Sequence, residues 1–403
     1  MSAQTTRPSD SYSPLYFLAS LGAGGLAVTF FMWLLHWLPH PGQPVPVFED
    51  IAAAFTGGTL LVQGVILVAA LGIAVFGFLN LKLLVWNLRR FSEWSKTEAY
   101  TKFMKTNAQT QVMAMPLALA MSVNVLFIFG MVFVPGLWSV VEYLFPLAMV
   151  TFIGIGIYAF RLYGAFLSRV LVEGGFNCAA NNNFGQVLPA FAFAMVGVGL
   201  AAPAAMSTVP ALAATGLVLS SFFFMTSALI AIVAVMLGLR SMMENGANPE
   251  TAPTLSIIVP LLAVLGILSL RQSHGMDAHF GAADLAGERM VTLAQYLSVQ
   301  VLFLLFAGLI LVRQGYAKRF LFGRENSPGS YALVCPGVGF AVLVHFFVNK
   351  GLVDAGLIVQ FGAVYWVLTA VALASQALMI ALVLHLNRRH FGAPSIPAKE
   401  AAA

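Results

Sequence analysis

Charge is the scarcest commodity in this sequence. Only 9% of its 403 residues are Asp, Glu, Lys or Arg, where soluble globular proteins carry about 25%. That shortage excludes a soluble globular enzyme, a disordered chain and a nucleic-acid-binding domain. Cysteine is nearly absent. Cys178 and Cys335 are the only two, too few for a disulfide framework, and neither stands in a CxxC pair. The N-terminus is polar for thirteen residues and then turns apolar, without the short h-region and small-residue cleavage site of a removable signal peptide. No cluster of His, Asp and Glu converges in the apolar segments and no glycine-rich phosphate loop is visible. The sequence therefore predicts neither an enzyme nor a bound metal or cofactor.

Hydrophobicity is what the chain has in excess. Sixty per cent of its residues are hydrophobic, mean hydropathy is +0.89, and the apolar residues come in long runs rather than the alternation of a membrane β-barrel. Crossing a bilayer takes about 20 mostly apolar residues. Ten stretches qualify, over residues 14–38, 54–86, 110–134, 137–168, 186–205, 209–238, 252–270, 290–314, 329–349 and 353–386. The even spans run longer than the odd ones.

Placing both termini on one side puts 17 of the 20 basic residues there with 8 acidic ones. Arg271, Arg289 and Lys350 fall on the other side with 7 acidic residues. By the positive-inside rule the first side is cytoplasmic. The sequence thus predicts a cytoplasmic tail over 1–13, one transmembrane domain over 14–388 and a cytoplasmic tail over 389–403, in a bacterial-type inner membrane.

Four odd spans carry a proline within the apolar run: Pro116, Pro189, Pro260 and Pro336, at intervals of 73, 71 and 76 residues. Span 1 has instead the flexible stretch Ser20-Leu21-Gly22-Ala23-Gly24-Gly25. Such regularity reads as a repeat. The expected fold is all-α, ten transmembrane helices arranged as five parallel helical hairpins around a central pore. Each proline should kink its helix at a depth where neighbours or a water-filled cavity satisfy the freed backbone. Ser20, Gly24, Pro116, Pro189, Pro260 and Pro336 are then the expected pore-lining or kink positions. Parallel repeats suit a gated pore better than the rocking of inverted repeats.

Several segments are similar to those of a known family. Tyr16-Phe17 before Leu21-Gly22, Met113-Ala114-Met115-Pro116, Leu188-Pro189-Ala190, Ile258-Val259-Pro260 and Tyr331-Ala332-Leu333-Val334-Cys335-Pro336 resemble the odd-helix motifs of the tellurite-resistance/dicarboxylate transporter family, which includes the plant slow-type anion channels. The resemblance covers all ten spans but is weak outside the odd helices. It implies an anion pore lined by helices 1, 3, 5, 7 and 9 and a homotrimer with one pore per subunit. It also implies an aromatic gate on the ninth helix just before the proline. Cys335 occupies that position, so Phe340 or Phe193 becomes the alternative gate.

The residues themselves do not predict anion selectivity. The interiors of the odd spans show no Asp, Glu, Lys or Arg, so no charge ring is available. Ser20, Thr29 and Ser122 are candidate pore hydroxyls, or ordinary helix hydrogen bonders. His345 is the ionisable group deepest in an odd span, a candidate pH sensor or a neutral histidine bonded to a neighbouring helix. The expected function is passage of small anions across the bilayer. The alternatives are a proton-coupled dicarboxylate or sulfite carrier and, more distantly, a membrane anchor subunit of a redox complex.

Overall fold

The computed structural model describes residues 12–283 and 285–391. Most of the two expected tails lies outside these residues. Among them the chain is helical throughout, with no strand. Ten helices are long and apolar enough to cross a membrane: spans 1 to 10 run Pro14–Trp37, Leu60–Trp94, Asn107–Phe133, Leu137–Val172, Gly185–Met206, Pro210–Asn245, Ala252–Phe280, Ala286–Arg313, Pro328–Val353 and Ala363–Phe391.

Burial divides them into two classes. In the most apolar stretch of spans 1, 3, 5, 7 and 9, the buried share is 83, 67, 94, 72 and 72%; in spans 2, 4, 6, 8 and 10 it is 33, 33, 22, 11 and 28%. The even spans turn rows of large apolar side chains outward, among them Leu71, Phe78, Phe222, Leu229, Leu302 and Leu305. So much exposed apolar surface is unstable in water and suits hydrocarbon. Inside, span 1 packs against spans 3 and 9, span 3 against 5, span 5 against 7 and span 7 against 9, which closes a ring. Each even span packs on the odd span before it, and span 4 leans further onto span 5.

Every odd span opens with a 3₁₀ segment before its α-helix: Pro14–Tyr16, Asn107–Met113, Gly185–Val187, Ala252–Ser256 and Pro328–Leu333. These segments touch their neighbours around the ring. The sideways link between spans 5 and 7 is a hydrogen bond from Phe184 N to Thr254 Oγ1, 3.1 Å. The N-terminal ends of the odd spans therefore meet at one end of the molecule.

This geometry corrects the reading of the prolines. Pro116, Pro189, Pro260 and Pro336 do not kink mid-helix. They occupy the second or third residue of the α-segments Ala114–Phe133, Leu188–Leu200, Ile258–Phe280 and Val334–Phe346. A first-turn residue has no intrahelical acceptor for its N–H, so proline costs nothing there. It marks the junction of 3₁₀ turn and helix. Even spans satisfy the carbonyls beside these junctions: Ser227 Oγ donates to Ala190 O (2.7 Å), Gln300 Nε2 to Val259 O (2.7 Å) and Ser375 Oγ to Gly337 O (2.8 Å).

Span boundaries shift where backbone conformation overrides hydropathy. Residues 54–57 belong to a separate short helix, Phe48–Gly57, which stops before Gly58, and Thr59 Oγ1 then accepts from Val62 N to start span 2. Span 9 continues as a π-helix over Phe347–Val353, so span 10 begins at Ala363 after a loop with positive φ at Gly356 and Phe361. Span 7 runs ten residues past its expected end, to Phe280, which makes it 29 residues against 28 for span 8 and breaks the expected length alternation there.

Candidate functional site

The odd-span ring encloses a cavity of about 500 Å³. One face of each odd helix lines it. Span 1 offers Leu21, Gly22, Gly25, Val28, Phe31, Met32 and Leu35, and span 7 offers Pro260, Ala263, Val264, Ile267, Leu270, Arg271 and His274. Both series step by the three to four residues that keep a helix on one face. Spans 3, 5 and 9 contribute from Met121, Phe191 and Cys335 onward. No residue of the five 3₁₀ segments lines the cavity. It begins at the level of the proline junctions and extends toward the C-terminal ends of the odd helices. Span 4, although an even span, walls one side with Trp138, Val141, Phe145, Ala148 and Phe152.

Glycine sets how close the walls stand. A Cβ on Gly339 would lie 2.8 Å from Pro260 Cα, and one on Gly25 would lie 2.7 Å from Val338 Cγ1. Small residues at helix crossings permit such backbone approach.

Two of the expected positions lie on this cavity. Pro260 and Cys335 line it; Gly24, Pro116, Pro189 and Pro336 do not. Ser20 is buried and belongs instead to a lock between spans 1, 2 and 3. Its Oγ donates to Asn80 O (2.9 Å), Asn80 Nδ2 donates to Ser20 O (2.8 Å), and Ser122 Oγ donates to Asn80 Oδ1 (3.0 Å). Thr29 Oγ1 donates to Leu26 O.

The two phenylalanines considered as gates face elsewhere. Phe193 is buried against Phe160, Tyr163 and Phe223, and Phe340 packs in a second cluster with Ala341, Val344 and Tyr365. Phe31, Phe127, Phe191 and Phe346 are the phenylalanines that reach the cavity from the odd spans.

His345 also stands outside the cavity lining. It stacks on His36 with ring centroids 6.2 Å apart and 18° between planes. Neither of its ring nitrogens has a hydrogen-bond partner. A chain of hydrogen bonds passes beside it: Trp37 Nε1 to Tyr365 OH (3.0 Å), Tyr365 OH to Asn349 Oδ1 (3.0 Å), and Asn349 Nδ2 to His345 O (2.8 Å).

The charged lining is the feature that sequence reasoning missed. Arg271, Arg289 and Lys350 line the cavity, with His40 and His274, and no Asp or Glu does. These are the three basic residues that the charge count separates from the other seventeen. Being exceptions was the signal available in the sequence. Arg271 comes to the cavity because span 7 continues past residue 270 as helix. Its Nη1 donates to Val198 O at 2.6 Å, close to the end of the helix Leu188–Leu200, where a cation is favoured by the helix dipole. Arg289 and Lys350 are held differently, both beside Asp354, at 3.1 Å and 3.7 Å. Among the described residues no group of three or more His, Cys, Asp or Glu is placed to hold a metal ion.

No family model matches this chain, and no curated protein matches it.

Proposed function

We propose that this protein carries anions across a membrane through the cavity enclosed by spans 1, 3, 5, 7 and 9. One observation carries the reading: the cavity is lined by apolar side chains whose only formal charges are the cations Arg271, Arg289 and Lys350. Charged residues that surround a low-dielectric path select for the opposite sign. An apolar wall strengthens that preference, because little else screens the charge. The resemblance to the tellurite-resistance/dicarboxylate transporter family supports the same reading. Five parallel hairpins, an inner-membrane location with cytoplasmic termini, and a homotrimer belong to the proposal with it.

The cavity stops at the proline junctions, which favours a path that must open at its floor. The same closure suits a proton-coupled carrier of oxyanions or dicarboxylates, so coupling is the measurement that separates the two. Proteoliposomes loaded with chloride, nitrate, sulfite or malate should release anions faster than potassium, whatever the salt. Potassium flux equal to chloride flux overturns the reading. A linear current–voltage relation without proton movement identifies a channel, and saturable flux that acidifies one side identifies a carrier.

A further inference from the structure

The charged groups on the cavity are not equivalent, and the difference points to a class of substrate. Arg289 and Lys350 share a carboxylate, Asp354, which lies off the cavity lining. Arg271 has no carboxylate within 4.0 Å among the described residues, and its one hydrogen bond is to Val198 O. A guanidinium carries five N–H donors in a planar fork, so four of them have no protein partner among the described residues. Charged groups within a membrane span are costly and are retained where they serve a path or a ligand.

Below Arg271 the wall is apolar. On span 7 the cavity face runs from Pro260 through Val264 and Ile267 to Arg271. The eleven residue steps from Pro260 to Arg271 span about 16 Å of helix at 1.5 Å per residue. Phe152 and Phe191 close the same space from spans 4 and 5. A halide bound at the guanidinium would leave that apolar space without a partner. A volume near 500 Å³, in which Arg271 is the lining cation with no carboxylate within 4.0 Å among the described residues, is the shape of a pocket for an organic ligand.

We infer that the cavity holds an amphipathic organic monocarboxylate, its carboxylate forked onto Arg271 and its hydrocarbon body against Val264, Phe191 and Phe152. Burial of each CH₂ adds to affinity, so affinity rises with chain length. Arg271 fixes the end that stays at the rim. The inference rests on reading the cavity as the substrate path and names what occupies it.

Calorimetric titration of the protein in nanodiscs, blanked against empty nanodiscs, tests the assignment with octanoate, acetate and octylammonium as probes. Octanoate should bind saturably and at least tenfold more tightly than acetate, and octylammonium should not bind. Arg271→Gln, which keeps a donor for Val198 O, should weaken octanoate at least tenfold with an unchanged elution profile, and Arg271→Lys should recover part of the loss. Val264→Trp fills the space below the guanidinium and should weaken octanoate by a larger factor than acetate. Equal affinity for acetate and octanoate, equal binding of octylammonium, or indifference to Arg271→Gln in a folded protein overturns the inference. The two readings fail separately. Chloride flux without octanoate binding removes this assignment and keeps transport; Arg271-dependent octanoate binding without flux of any anion keeps the site and removes transport.

Discussion

The two ends of the odd-span ring are built on opposite plans. At the N-terminal end, five 3₁₀ segments meet, link sideways and contribute nothing to the cavity. Even spans satisfy carbonyls beside the prolines with Ser227, Gln300 and Ser375. At the C-terminal end the helices diverge in detail: span 5 breaks near Ala201, span 9 passes into a π-helix, and span 7 runs on to Phe280. Here the charged groups Arg271, Arg289 and Lys350 line the cavity. The repeat is strict where the ring is closed and lapses where it is open. The contrast separates positions held by packing from those that border the cavity.

Four changes break or sharpen that contrast, in falling order of effect. Gly339→Leu strikes the closed region, because the added side chain starts 2.8 Å from Pro260 Cα. Overpacking between spans 7 and 9 should cost about 3 kcal/mol and appear as a large drop in melting temperature or loss of monodisperse protein. Normal thermal stability would show that the ring tolerates wider spacing there. Cys335→Trp fills the cavity at its floor without altering the charged rim. Anion flux in proteoliposomes should fall about tenfold with stability retained, and undiminished flux would remove Cys335 from the path.

Gln300→Leu leaves Val259 O without its partner at the closed end. In membrane proteins such bonds contribute about 0.6 kcal/mol on average, so a small fall in melting temperature is expected with transport per folded molecule unchanged. His345→Gln should do least. Its ring lies off the cavity lining, stacked on His36, and the dependence of flux on pH should match that of the unsubstituted protein. A displaced pH profile would tie the His36–His345 stack to transport.

What could be seen in the sequence follows from the same contrast. All ten spans were visible because hydropathy over about 20 residues reports bilayer crossing directly. The spacing of Pro116, Pro189, Pro260 and Pro336 located one end of the ring. It did not reveal the local role of the prolines, because an interior kink and a first-turn position both place proline in an apolar run. Helix faces were invisible. An odd span buried on all sides has no polar face to set its phase, so nothing distinguished Phe193 from Phe191. Two residues are about 200° apart around a helix, and one faces span 4 and span 6 aromatics while the other faces the cavity. The end of span 7 was misplaced because Arg271 looks like a terminus on a hydropathy plot, whereas here it is part of a continuous helix.

The sideways contacts among the 3₁₀ segments have a mechanical consequence. No single odd helix can lift its first turn without disturbing the turn beside it, since each is coupled to its neighbours around the circle. Any widening of the floor is then a collective event, nearer to a diaphragm than to a swinging door. If the proposed path opens at this floor, a defect in one turn, such as loss of the Thr254 acceptor for Phe184 N, should change how often it opens rather than how wide.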